Sequence, residues 1–563
     1  MNYKQYIAKK INIEGVSTDQ VEGFIEVPPS TEVGDYALPC FRFAKILRAS
    51  PVAIAERLKN EFSTDEIITS VEAVNGYLNF RLNRAYVVSS VVEQVLTMGD
   101  KYGNSDEGNG KTVCIDYSSI NIAKPFHIGH LSTTVIGAAL YRIYSALGYN
   151  TVGINHLGDY GTQFGKLIYA VKTWGDMDTV KRLGLKELTR LYVYYHEQAE
   201  THPEIDDCAR AYFKAIEDGD KECVSLFETF KAITLKEIDK IYKLLDVRFD
   251  SYAGESFYND KMAPVVEMLE KDGLLKESQG AKIVDLSQYD MPPCIILRSD
   301  GASLYATRDL AAAIYRKKTY DFYKCLYVVA YQQDLHFKQI FKMLELMSMP
   351  WYKDMVHVSY GMVSMEDGAM STRKGKVVLL EDVINKAVEK ALKVIEGKNP
   401  NLEDKEKTAE AVGTGAVIFG ALSSAKIKDI VFSFDKVLNF DGETGPYCQY
   451  TVARCNSVLK KGEKLDISAA QTVQTVNEDE YNLAVLLETF PEVVRQAAIK
   501  YEPSFVTRFA VDLSKAFNKF YFEHKIVTED ETTSAYRLRL TLAKRTCLVK
   551  ALSLLGIKTP EKM

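Results

Sequence analysis

Nowhere in its 563 residues does the chain hold the roughly 18 uninterrupted apolar residues that a membrane helix needs, which sets aside a helical membrane protein. The amino-terminal MNYKQYIAKKINIEG has no apolar core and no small-residue cleavage site, so a cytoplasmic location is expected. Cysteine is sparse. Nine are scattered from Cys40 to Cys547 with no CxxC and no Cys/His group at zinc spacing, which argues against a disulfide frame and leaves no metal-ligand set to name. Positive charge is not in excess either: the net charge is −6, so a nucleic-acid partner would have to be held by local basic patches. No internal repeat or low-complexity block is evident.

What remains, 47% hydrophobic and 26% charged residues, is the composition of an ordinary globular protein. The length exceeds what one hydrophobic core usually serves, so about three or four domains are expected. Residues 1–105 read as a compact α+β unit, with a helical AKILRASPVAIAERLKNEF and an alternating strand GYLNFRLN, ending at the Gly-rich NSDEGNG. Residues 106–380 read as an α/β domain of Rossmann type with a parallel sheet. Val113, Ile115 and Tyr117 alternate as a strand. A helix from about Ile128 to Leu147 follows, with Leu131, Val135, Ala139, Ile143 and Leu147 as its buried stripe and Gly148 as its cap, and then the strand TVGINHLGD. That βαβ unit predicts ligands at the carboxyl ends of the strands. Further strands are predicted at 325–333 and 355–363, and a charged helical insertion at about 170–250. Beyond residue 380 strand signals largely vanish; 381–435 reads as a helical connector and 436–563 as an all-α bundle. The string Gly110-Lys111-Thr112 mimics the end of a P-loop, but it precedes a strand instead of opening a helix and carries Ser105 where glycine is needed.

At the strand-to-helix turn stands Asn121-Ile122-Ala123-Lys124-Pro125-Phe126-His127-Ile128-Gly129-His130. A helix N-terminus offers free N–H groups and partial positive charge to phosphates, two histidines three apart lie on one side, and Gly129 admits an adenine ring close to the backbone. A structural pair of histidines capping a turn is the alternative; position after a strand and before a long helix favours nucleotide chemistry.

This segment resembles the HIGH signature of class I aminoacyl-tRNA synthetases, and SSINIAKPFHIGHL resembles the arginyl-tRNA synthetase version in particular. NHLGDYGTQFG (155–165) is similar to that family too, with Tyr160 where tryptophan is usual. The second signature of the class, a KMSKS-like loop, is matched by Ala369-Met370-Ser371-Thr372-Arg373-Lys374-Gly375, whose first lysine is replaced by Ala369. The resemblance implies ATP as substrate with Mg²⁺, held by His127, Gly129, His130, Met370, Ser371, Arg373 and Lys374, with Lys124 supplying the lost loop charge. Cations near the α-phosphate stabilise the charge that builds in the transition state.

A guanidinium cannot be neutralised, so its pocket must offer carboxylates. Three further strings resemble the arginyl family: LYATRD supplies Tyr305 and Asp309, AGES supplies Glu255, and YQQDLH supplies Gln333. The resemblance implies that Glu255, Tyr305 and Asp309 bind the arginine side chain and that Asn121 and Gln333 hold its α-amino group. It also implies a partner, tRNA(Arg), met by the N-terminal unit (GDYALPCFRFAK, NGYLNFRL) at the tRNA elbow and by the C-terminal helices (GETGPYCQYTVARCNSVLKK, EPSFVTRFAVDLSKAFNKFY) at the anticodon. Arg454, Lys460, Lys461, Arg537, Arg539, Lys544 and Arg545, with Tyr447, Phe520 and Tyr521 among them, suit phosphate contact and base stacking; a plain helical bundle is the alternative. The expected activity is arginine–tRNA ligation by a monomer. Rival readings are another class I synthetase, a tRNA-binding protein without catalysis, and a nucleotidyltransferase.

Overall fold

The structure, a computed structural model, describes residues 3–28, 33–299, 305–365, 378–468 and 475–563. Two compact units emerge. The smaller comprises residues 1–102, 455–490 and 513–547; the larger comprises 103–454, 491–512 and 548–563.

The larger unit is built on a four-stranded, wholly parallel sheet: β1 (Thr112–Asp116), β2 (Asn150–Ile154), β3 (Lys324–Tyr327) and β4 (Met355–His357), in spatial order β4-β3-β1-β2. Helix α1 (Leu131–Ala146) makes the crossover from β1 to β2. The predicted stripe is buried, but so is most of the rest of the helix, because residues 405–422 form a second helix packed over it. Gly137 is where α1 comes closest to the sheet: a Cβ there would lie 2.2 Å from Cβ of Tyr117. The insertion is helical as expected, with α2 (Thr162–Trp174), α3 (Leu185–Thr201), α4 (Ile205–Glu217) and α5 (Lys221–Leu244). Helix α6 (Tyr305–Tyr320) leads into β3 and α7 (Asp334–Leu346) follows it.

Several expectations need correction. The strands predicted at 325–333 and 355–363 stop early, because each chain leaves the sheet at its carboxyl end and turns into loop; only a single bridge, Ala330–Tyr360, continues the pairing. A three-stranded antiparallel sheet (Leu275–Ser278, Ala281–Val284, Cys294–Leu297) was not foreseen, because its strands are four residues long and the first two are interrupted by charged residues. Nor was Ile430–Phe432, which pairs with Val363–Met365.

In the smaller unit, Tyr77–Leu82 is the centre of an antiparallel sheet between Tyr36–Pro39 and Ile68–Val74. The helical run expected before it breaks into Ala44–Leu47 and Pro51–Glu61. Arg48 takes a left-handed conformation, and Ser50 caps a new start with Pro51 in the first turn. The chain is thus a Rossmann-type α/β fold with an α+β N-terminal region and a helical C-terminal region.

Candidate functional site

The loop from β1 to α1 has an unusual backbone. Ser118, Ser119 and Ala123 all have positive φ (69°, 43° and 61°), a region costly for residues other than glycine. Side chains from elsewhere hold it there. Thr133 Oγ1 accepts from the Ser118 amide at 3.0 Å and donates to the Val328 carbonyl at 2.7 Å. The Ser118 hydroxyl bonds to Thr134 and Tyr242, and the Ala123 amide donates to Thr234 of α5 at 3.1 Å.

The loop ends at the two histidines. His127 Nδ1 accepts from the Gly129 amide at 3.1 Å, and His130 Nδ1 accepts from the His127 amide at 3.2 Å, with the rings 3.9 Å apart. An Nδ1 that accepts fixes the tautomer, so each neutral imidazole carries its proton on Nε2 as a donor. Burial, with Lys124 nearby, lowers the pKa of His127; burial and His127 lower that of His130 to about 3. Both are therefore uncharged at neutral pH. Together with Asn121 and Lys124 they line a cavity of about 1300 Å³, whose facing wall includes Tyr192 and His196 of α3 and Glu237 of α5.

Residues 378–380 are zipped onto this segment: the Ile128 amide donates to Val378 and the Leu380 amide to Phe126. The loop expected to carry the second signature leads directly into that pairing, but Met370, Ser371, Arg373 and Lys374 lie outside the described residues.

The carboxyl end of β2 assembles the rest. Leu157 accepts from the Glu255 amide at 2.9 Å, and the next residue, Gly158, bridges to Asn121. A Cβ on Gly158 would lie 2.1 Å from Asn121 Oδ1, so glycine is required for that approach. Asp159, fully buried, accepts from Lys231 at 2.7 Å and from the amide and hydroxyl of Ser256, which fixes the 254–256 turn. Glu255 and Asn121 are thereby anchored on consecutive residues. Asp309 lies on α6 one residue past Arg308, whose Nη1 is 3.5 Å from Glu255 Oε2. Gln333 stands exposed at the start of α7, and Tyr305 is 66% exposed at the start of α6.

Sequence reasoning missed the partners of both acids. Glu255 faces Arg308, while Asp309 is 2.6 Å from Nε2 of His336. Burial pushes the Glu255 carboxyl up to about 7; Arg308 opposes this, and Asp309 and Asp159 add to it. Burial raises Asp309 most, but the bond from His336 and the charges of His336, His156 and Arg316 together outweigh it, and its pKa is lowered. Both partners sit inside the strings already singled out, LYATRD and YQQDLH, which is the only signal the sequence held for them.

The basic C-terminal residues fare unevenly. Lys544 and Phe520 are fully buried, Lys544 with its ammonium 4.5 Å from the Phe517 ring centre, because the helix carrying it is packed within its unit. Arg537 is bonded to Glu480 and Arg539 to Glu93. Lys460 and Lys461 are exposed.

Residues 91–434 match the family described as tRNA synthetases class I (R), catalytic domain; residues 448–563 match the DALR anticodon binding domain, and residues 1–82 the arginyl tRNA synthetase N terminal domain. The arginine–tRNA ligase of Clostridioides difficile is 51% identical over 554 residues, 98% of each chain. That of Alkaliphilus metalliredigens is 50% identical over 564 residues and the whole of both chains. Among solved structures, the Thermus thermophilus arginyl-tRNA synthetase superposes with a TM-score of 0.79 at 26% identity, covering 96% of each chain. The Plasmodium falciparum arginyl-tRNA synthetase, at 23% identity and a TM-score of 0.78 over 100% of this chain and 98% of its own, shares the fold.

Proposed function

The chain belongs to the class I arginyl-tRNA synthetase family, and from that premise we propose how its residues divide the work of ligating arginine to tRNA. It is an arginine–tRNA ligase: arginine is activated with ATP to arginyl-adenylate, and the arginyl group passes to the 3′-terminal adenosine of tRNA(Arg).

ATP, taken as its Mg²⁺ complex, has its phosphates against the N-terminus of α1. His127 and His130 donate Nε2–H bonds to charge that develops there, Gly129 leaves room for the adenine, and Lys124 supplies a cation. Met370, Ser371, Arg373 and Lys374 complete the nucleotide site. Asn121 and Gln333 hold the α-amino group, Glu255 and Asp309 take the guanidinium, and Tyr305 closes the side-chain pocket. No side chain acts as a nucleophile; the rate comes from placing the carboxylate of arginine against the α-phosphate and from stabilising the charge. Residues 1–105 hold the tRNA elbow, 106–380 carry the chemistry with the insertion at about 170–250, 381–435 connect, and 436–563 read the anticodon. The protein acts in the cytoplasm as a monomer.

The observation that carries this reading is the pair of consecutive anchors, Leu157 and Gly158, which tie a carboxylate for one end of arginine and an amide for the other to the same strand end. Charging of total tRNA with each of the twenty labelled amino acids, with ATP and Mg²⁺, tests it. Arginine alone should be attached. Attachment of any other amino acid would discard the two-acid pocket, and none at all with tRNA still bound would leave a binding protein.

A further inference from the structure

Arg308 stands among the residues of the arginine pocket without a role in the reaction. Its side chain is 6% exposed, on the buried face of α6. Two groups face its guanidinium. The ring of Tyr160 lies 4.3 Å away, its hydroxyl bonded to Glu217 of the insertion, and Glu255 lies on the other contact. A carboxylate together with an aromatic face is the environment that suits a guanidinium.

The contact is nevertheless incomplete. An arginine that owns a carboxylate commonly grips both oxygens in a fork at about 2.7–2.9 Å. Here one nitrogen lies 3.5 Å from one oxygen, Oε2, and Nε is buried without a hydrogen-bond partner among the described residues. No other side chain among the described residues bonds the Glu255 carboxylate, so Oε1 is left for something else. Among the described residues no ion pair joins Arg308 to Asp309, whose Oδ2 is bonded to His336.

We infer that Arg308 is a positioning residue for the substrate: it holds Glu255 aimed in the free enzyme, and shares that carboxylate with the guanidinium of arginine when it enters. The inference rests on Glu255 being the receiving acid. Three acids, Glu255, Asp309 and Asp159, influence one another in a buried space, and burial alone drives Glu255 towards its neutral form, which cannot bind a cation. An internal cation at one oxygen offsets that pressure, and its single long contact leaves the other oxygen to the substrate. The pocket is thus ready before arginine arrives.

Calorimetric titration of the full-length enzyme with arginine, from about pH 6 to 9.5, separates the possibilities. In the wild type, affinity should be level above the Glu255 break until the α-ammonium of arginine itself titrates, and fall about tenfold per unit below the break, where Glu255 is protonated. In Arg308→Met the same break should move up by at least about one unit, and in Arg308→Lys, which keeps the charge, it should stay near the wild-type position. Should Arg308→Met lose its cooperative melt, Arg308→Gln carries the same test. Glu255→Gln should lose about a hundredfold in affinity and the break with it. Wild-type affinity and break in Glu255→Gln would dismiss Glu255 as the receiving acid, and the inference with it. A lost break in Glu255→Gln, with an unmoved one in Arg308→Met, would overturn the role of Arg308 alone.

Discussion

His127 and His130 each spend the Nδ1 lone pair on a backbone amide and carry their proton on Nε2, so neither has a free lone pair with which to take another. With their pKa values lowered by burial, and that of His130 to about 3, both remain neutral donors across the physiological range. The sign matters: a histidine whose pKa falls on folding stays uncharged as pH drops, until that lower value is reached. Either His127→Ala or His130→Ala should therefore slow tRNA-supported ATP–pyrophosphate exchange by about a hundredfold at saturating substrates, the usual scale for one lost donor to developing charge. The plateau of the pH–rate profile should fall without its acid limb moving, and the variants should still melt cooperatively. A limb that shifted with either substitution would make them proton-transfer groups instead. Glu255, by contrast, should govern the pH dependence at limiting arginine, since its carboxyl is pushed up to about 7 and loses its charge as the pH falls through that value.

At the scale of elements, the β1–α1–β2 unit tests how closely strand and helix must pack for the histidines to be placed. Gly137→Ala would put a methyl 2.2 Å from Tyr117 Cβ and Cγ, so α1 must back away from β1. We expect a loss of about 1–3 kcal/mol in urea denaturation and a slower exchange reaction with it. Gly397→Ala is the matched control. It also lies inside a helix, Leu380–Lys398, but with nothing within 4 Å of its added methyl, and should stabilise by about 0.5–1 kcal/mol. Equal effects at the two sites would remove the packing argument. This unit was legible in the sequence because alternation in Val113, Ile115 and Tyr117 and the apolar stripe of α1 are local signals. The shape of the loop between them was not, since Ser118, Ser119 and Ala123 are not residues that announce a left-handed turn. Their conformation is imposed by Thr133, Thr134, Thr234 and Tyr242, the last two more than a hundred residues away. The same holds for the acids. Glu255 and Asp309 could be picked out by their strings, but their pairing with Arg308 and His336 depends on how α6 and α7 meet the end of β2.

For the molecule as a whole, a net charge of −6 and many internally paired arginines make tRNA binding a question of which groups are left at the surface. Charge pattern along the sequence could not separate these groups, because Lys544 and Phe520, both candidates for tRNA contact by sequence, belong to the core of the smaller unit. Phe522, two residues on from Phe520, is 73% exposed at the end of the helix Ser504–Glu523, an unusual place for a large apolar ring in a region matching an anticodon-binding domain. An exposed ring gains little from folding, whereas stacking on a base is worth about 1–3 kcal/mol. Phe522→Ala should accordingly raise KM for tRNA by about tenfold, leaving kcat at saturating tRNA and the melting temperature close to the wild-type values. Phe520→Ala should do the reverse, costing about 3–5 kcal/mol of stability through the cavity it opens. Aminoacylation kinetics at graded tRNA concentrations, set beside thermal melts of both variants, would decide between them. A KM unchanged in Phe522→Ala would mean that the ring is no part of the tRNA surface and that recognition by this helix rests on its charges alone.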